Sequence, residues 1–283
     1  MTEQLDLVPR FEVLPLGQAV EDEAAQLPEP TRLTVTCSPR HGPDHSVECG
    51  ERLRAQGHRV TMHVAARMVR DTAHLDDLLA RLQSSGIDDL FLIGGDAAEP
   101  RGPYASAGEL LPLIAEHPRR PQMVGIGGYP EGHPLIDDVA LTLALGRKAE
   151  YADYITTQMC FDAAAVLDWT AKIRAGGVAQ PVLVGVPGVV SPQKLLEISM
   201  RIGVGASVSF LRKQRRLGSL LRPSARSKTP GESVHEQLTP HVGDPALGIA
   251  GFHYYTFNQL VATWEWARGR DNHDNYAEEE KVS

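Results

Sequence analysis

The chain has 283 residues, 42% of them hydrophobic and 23% charged, which is enough to bury the core of one large domain or two small ones. Its formal net charge of -8 and pI near 5.8 argue against a nucleic-acid or anionic-membrane surface as the main partner. No apolar run approaches the roughly 20 residues of a membrane span, Met1 to Arg10 lacks a signal peptide's apolar core, and the odd, widely spaced Cys37, Cys49 and Cys160 fit reduced thiols, so a cytoplasmic protein is expected.

Eight short apolar runs follow in order, at 11–16, 33–37, 60–64, 90–93, 122–126, 154–158, 182–186 and 249–255. Each leads into a polar loop and then a stretch of helical periodicity; helices are predicted at 71–84, 135–150, 163–175, 193–202 and 258–267, with Gly86, Gly176 and Gly203 as stops. This alternation predicts an α/β protein with a single (β/α)8 TIM barrel over 11–269, between an N-terminal arm at 1–10 and a flexible tail at 270–283. A doubly wound open sheet is the alternative, because strand count does not show closure. Segment 222–244, rich in Pro, Ser, Gly and His, reads as a lid or an elaborated seventh βα excursion. Arg212, Lys213, Arg215 and Arg216 form a basic run that suits either an anion grip or a solvated helix face.

The stretch 89–100 concentrates the signal. Leu90 to Ile93 suit a strand covered on both faces, Gly94 and Gly95 permit a sharp turn, and Asp96 follows at the strand's C-terminal end. The plain alternative makes Asp96 a helix N-cap. In a barrel the strand ends converge, which gathers Glu12, Thr36, His63, Asp96, Thr157, Gln158, His253, Tyr255 and Asn258 on one face with the loop 127–134. A carboxyl such as Glu12 inside an apolar run has its pKa raised by desolvation, which suits a general acid, unless it is paired for structure. No His pair has helical zinc-site spacing, so no metal is predicted.

Taken together, these stretches resemble the methylenetetrahydrofolate reductase family. The resemblance is carried by Phe11-Glu12, Leu33-Thr34-Val35-Thr36, Gly95-Asp96, Tyr129-Pro130-Glu131-Gly132-His133-Pro134 and Arg147-Lys148. The run from Ile155 to Asp162, Pro187-Gly188-Val189-Val190-Ser191 and the run from Phe252 to Asn258 complete it. It implies a (β/α)8 catalytic barrel that reduces 5,10-methylenetetrahydrofolate to 5-methyltetrahydrofolate, with hydride from NADH or NADPH usually passing through FAD. By position it implies Glu12 as general acid, Asp96 as the carboxylate stabilising a folate cation, and Gln158 and Tyr255 as substrate contacts. Thr36, His63, Tyr104, Tyr129, His133, Arg147 and Lys148 match cofactor-lining positions.

The sequence departs from the family on the flavin side. Cys37 stands where flavin-bearing members have Tyr, Gly94 where they have Arg, and Leu141 and Ala144 where they have polar contacts. Each lost hydrogen bond to a charged partner removes roughly 1.5–3 kcal/mol, which weakens the case for FAD and points to direct transfer from a nicotinamide. Gln193 and Gln259 also replace a family Phe and Arg on the folate side. The alternatives are an FAD-containing reductase of the same reaction and a folate- or partner-binding barrel without catalysis.

Overall fold

In the computed structural model, which describes residues 9–37, 40–191 and 229–279, eight parallel strands close into a barrel in sequence order, β8 returning to pair with β1. The strands are β1 (Arg10–Val13), β2 (Arg32–Val35), β3 (Arg59–Ala65), β4 (Asp89–Ile93), β5 (Met123–Gly128), β6 (Tyr154–Met159), β7 (Val182–Pro187) and β8 (Ile249–Tyr255). Closure excludes the open sheet. Helices α1 (Gln18–Ala24), α2 (Gly42–Ala55), α3 (Thr72–Ser84), α4 (Ala107–Ala115), α5 (Asp138–Ala149), α6 (Ala163–Ala175), α7 (Pro230–Leu238) and α8 (Leu260–Glu279) flank it.

Most of the core lies between strands and helices, where Phe11, Val13, Leu33 and Val35 meet residues such as Val47 and Leu53 from α2. The alternate residues of β1, Arg10 and Glu12, turn into the lumen instead, where they meet polar groups of other strands. Helix starts are set by acidic caps: Asp71 accepts from His74 N at 2.8 Å, Asp137 from Ala140 N at 2.9 Å, and Asp162 from Ala164 N at 2.9 Å. α3 ends as predicted, with Gly86 at φ 68°; after α6 it is Gly177, at φ 86°, that takes the left-handed turn rather than Gly176.

The largest differences from the sequence reading are three. The first strand ends at Val13, three residues early, ahead of Pro15, whose ring supplies no N–H for the ladder. The last helix passes 267 and continues to Glu279. Part of the 222–244 segment is α7, opened by a capping box between Thr229 and Glu232, with Val234 and Leu238 buried against the barrel. From Thr229 on, the segment is therefore packed structure of the seventh βα excursion. The predicted helix 193–202, Gly203, Gln193, the basic run at 212–216 and residues 222–228 lie outside the described residues.

Candidate active site

The lumen is built in layers because side chains two apart on one strand point the same way. The lower layer is polar and closed. Arg10 Nη2 meets Asp89 Oδ2 at 2.8 Å, and Arg10 Nη1 donates to Tyr154 Oη at 2.7 Å and Thr61 Oγ1 at 3.1 Å. Tyr154 Oη and Thr61 Oγ1 each donate to Asp89 at 2.8 Å. Gly125 makes room for this network, since a Cβ there would strike the Tyr154 ring.

One step up each strand stand Glu12 above Arg10, His63 above Thr61 and Phe91 above Asp89. Glu12 Oε2 lies 3.2 Å from His253 Nε2 and 3.9 Å from His63 Nε2, and the Glu12 side chain is 14% exposed. His63 leans on the Phe91 ring, with centroids 4.7 Å apart. Burial raises the Glu12 pKa to about 7, offset in part by attraction to His63. Burial lowers His63 to about 4, against attraction to Glu12 and with repulsion from His253 and Arg10. It lowers His253 to about 3, with Arg10 adding to the effect. At the pH where Glu12 ionises both imidazoles are therefore neutral, so burial dominates and Glu12 is a carboxyl that titrates near neutrality. This chemistry suits proton donation.

Toward the mouth, Tyr255 Oη donates to Thr157 O at 3.0 Å, and its pKa is raised by burial and then by Glu12, Cys160 and Tyr129. Tyr129 is raised by burial and then by Asp96. Tyr255 is thus near enough to Glu12, and Tyr129 to Asp96, to feel their charge, and Asp96 itself is exposed. Asp96 is not a helix cap, because α4 starts only at Ala107. Its loop is held by Arg67, which donates to Ala97 O and Ala98 O, each at 2.7 Å, and to Ala105 O at 3.2 Å.

Gln158 stands where the β6–β7 register shifts, an irregularity between Thr156 and Met159 that re-aims a side chain. Its Oε1 accepts from Met159 N at 2.9 Å, leaving its amide N–H groups for a ligand. Thr34 Oγ1, Thr36 Oγ1 and His63 Nε2 are buried without a hydrogen-bond partner, and such buried polar groups are ordinarily satisfied. A bound molecule would satisfy them.

At the seam, Asn258 Oδ1 accepts from Leu14 N at 2.8 Å and its Nδ2 donates to Leu14 O at 3.1 Å, clasping the exit of β1 to that of β8. Phe257 and Asn258 hold φ of 51° and 60°, and Phe257 joins Met159, Phe161, Val190 and Tyr255 in an apolar wall.

The remaining expected cofactor positions divide. The His133 ring meets Tyr129 edge-on at 5.3 Å, and its Nδ1 accepts from Leu135 N at 3.2 Å. Arg147 is exposed at the end of α5, whereas Lys148 donates to Gly127 O at 3.3 Å and has its pKa lowered by burial. Tyr104, 7% exposed, is packed into the main core and offers little surface to a ligand. Arg10, Asp89, Tyr154 and Arg67 were not singled out from sequence; a charged residue beside an apolar strand start, as at Arg10, was the available signal. A hollow of about 440 Å³ lies at the opposite end of the barrel, among Pro9, Arg32, Arg59 and Trp264, and none of the candidate residues lines it. Among the described residues, no group of His, Cys, Asp and Glu could hold a metal, and no helix is long and apolar enough to cross a membrane.

The family model described as methylenetetrahydrofolate reductase matches residues 29–266. Methylenetetrahydrofolate reductase 1 of Schizosaccharomyces pombe is 26% identical over 200 residues, 66% of this chain and 32% of its own length. Methylenetetrahydrofolate reductase 2 of Saccharomyces cerevisiae is 29% identical over 123 residues, 40% of this chain and 20% of its own. The chain thus spans about a third or less of these relatives in matched length. The solved structure of concanavalin B aligns with 90% of this chain and 98% of its own at a TM-score of 0.47 and 11% identity, too distant to bear on function.

Proposed function

This chain belongs to the methylenetetrahydrofolate reductase family, and on that premise we propose that it reduces 5,10-methylenetetrahydrofolate to 5-methyltetrahydrofolate with hydride taken directly from NADH or NADPH. The observation that carries this reading is Glu12, a carboxyl near the C-terminal end of β1 whose side chain is 14% exposed and whose pKa is raised to about 7 by burial. Its proton opens the imidazolidine ring to the reactive iminium. Asp96 supplies negative charge at the rim for the developing cation, and Gln158 offers its amide N–H groups to the pterin edge. Tyr255, fixed by its bond to Thr157 O, presents its ring as a wall of the substrate site.

The nicotinamide supplies the hydride when bound, and the chain's task is to hold it at a near-attack distance of about 3–3.5 Å from the iminium carbon. Thr36, His63, Tyr129, His133, Arg147 and Lys148 are the residues that would line its place. FAD fits this lining poorly. A side chain at Gly94 would meet open space where the family's cation is missing, and Ala144 is exposed without a polar group. The FAD-containing reading retains one observation in its favour, the exposed guanidinium of Arg147 near the end of α5, which suits a pyrophosphate.

The test is oxidation of NADH or NADPH by purified, flavin-stripped protein, with and without 5,10-methylenetetrahydrofolate. Folate-dependent turnover without added FAD is expected. Turnover only after FAD is restored selects the flavoenzyme, and none under either condition selects a binding barrel.

A further inference from the structure

The two oxygens of Glu12 are not equivalent. Oε2 faces His253 Nε2 at 3.2 Å, whereas Oε1 takes no hydrogen bond and is absent from the buried unsatisfied atoms, so it faces accessible space. His253 is 2% exposed, and its Nδ1 is buried without a partner. That orphan decides the tautomer. A bare ring nitrogen in the interior leaves only an acceptor unfilled, whereas a protonated Nδ1 would leave an orphaned N–H, the rarer arrangement in folded proteins.

From this geometry we infer that His253 is a positioning residue: its Nε2–H donates to Glu12 Oε2 and so directs the acid proton onto Oε1, the oxygen that makes no hydrogen bond within the chain. The inference deepens the acid role proposed above and rests on that reading for its functional meaning, although the proton arrangement itself does not. Both steps balance. Glu12 loses the Oε1 proton to substrate and keeps the Oε2 bond, and the donated hydrogen bond stabilises the carboxylate that results.

The surroundings bear this out from every strand that packs on Glu12. Arg10 from β1 lies a layer below and is engaged with Asp89. From β3, His63 stands at 3.9 Å, beyond hydrogen-bond reach of Oε2. β2 contributes the uncharged Thr34, opposite Glu12 in register, and β8 contributes Tyr255 in addition to His253, with the tyrosine hydroxyl committed to Thr157 O. Among the described residues, only His253 is within hydrogen-bond reach of a Glu12 carboxyl oxygen. Burial, with repulsion from Arg10 adding to it, lowers the His253 pKa to about 3, keeps the ring neutral and so prevents it from taking the proton itself.

Two measurements on the whole 283-residue chain test this without requiring turnover. In the first, ¹⁵N spectra of the histidine rings, with His253 assigned by its loss in His253→Gln, should show the Nε2–H tautomer at pH 7.5, a value chosen roughly one unit above an ordinary histidine pKa. In the second, ¹³C-carboxyl titration follows Glu12, assigned by its loss in Glu12→Gln. His253→Phe, which removes the donor, should raise the Glu12 pKa by roughly one unit. His253→Gln, which restores an N–H near the Nε2 position, should return it close to the wild-type value. An Nδ1–H tautomer, or a Glu12 pKa that falls in His253→Phe, would overturn the inference; if that variant does not fold, the wild-type tautomer decides alone. A reductase reading that failed the turnover assay would leave both spectra unchanged, so the two failures are distinguishable.

Discussion

Arg10 and Asp89 meet at 2.8 Å inside the barrel, with side chains 1% and 5% exposed, and Thr61 and Tyr154 each bond to both of them. Removing one partner of such a pair strands a charge, at about 3–5 kcal/mol. Arg10→Met is therefore expected to lower stability in urea unfolding by that amount. Replacing both partners, as in Arg10→Met with Asp89→Leu, should recover part of the loss.

Glu12→Gln removes the acid while keeping its shape. Turnover should fall by about 10²–10⁴-fold with folate affinity largely retained, as read from steady-state kinetics and equilibrium binding. Near-normal turnover would remove Glu12 from the mechanism.

The pH dependence follows from the same group. Glu12 is protonated more readily in the folded chain, at about 7, than at its ordinary 4.5. The folded state thus binds the extra proton between those values, so this contribution to stability is present at low pH and is lost as pH rises through 7. His63 and His253, lowered to about 4 and 3, act oppositely, since the unfolded chain takes up their protons first as pH falls below 6.5. Glu12→Gln should therefore gain stability relative to wild type between pH 5 and pH 8, by about 3 kcal/mol. Wild-type turnover should decline above pH 7 as the acid is lost; an unchanged stability difference across that range would refute the raised pKa.

Arg67 holds three carbonyls of the loop that carries Asp96. Arg67→Ala should speed amide exchange across residues 97–105 and lower kcat/KM by about 10–100-fold, because small misplacements of reacting groups are costly. Global stability should change less than with Arg10→Met. Fast exchange with intact kinetics would show that the loop's order does not matter to the chemistry.

Gly125 has no space for a side chain. Gly125→Ala should displace Tyr154 from the Arg10 network and destabilise the chain by about 1–3 kcal/mol in urea unfolding, the usual range for overpacking.

The barrel was legible because its strands are continuous apolar runs with polar loops between them, as at 90–93 and 182–186, and buried parallel strands need that composition. α7 was harder: Thr229-Pro230-Gly231-Glu232 looks like a turn until its reciprocal capping bonds are seen. Within the site, Glu12 stood out as a carboxyl among apolar neighbours. His253 was one strand-end histidine among several, and only closure of β8 onto β1 brings it within 3.2 Å of Glu12. The Arg10 network was invisible for the same reason, because its four members come from four strands spread over 144 residues of sequence. Tyr104 illustrates the converse, a matching position whose ring the fold has turned inward.

Phe257 occupies backbone territory that glycine enters freely and a bulky side chain does not, with φ at 51°. Selection for stability alone would favour glycine there, relieving about 1–2 kcal/mol. The ring is retained beside Tyr255 and Phe161 at the mouth. A chain evolved toward greater thermal endurance would thus meet opposing demands at this position, because the substitution that relaxes the backbone also dismantles one side of the cleft.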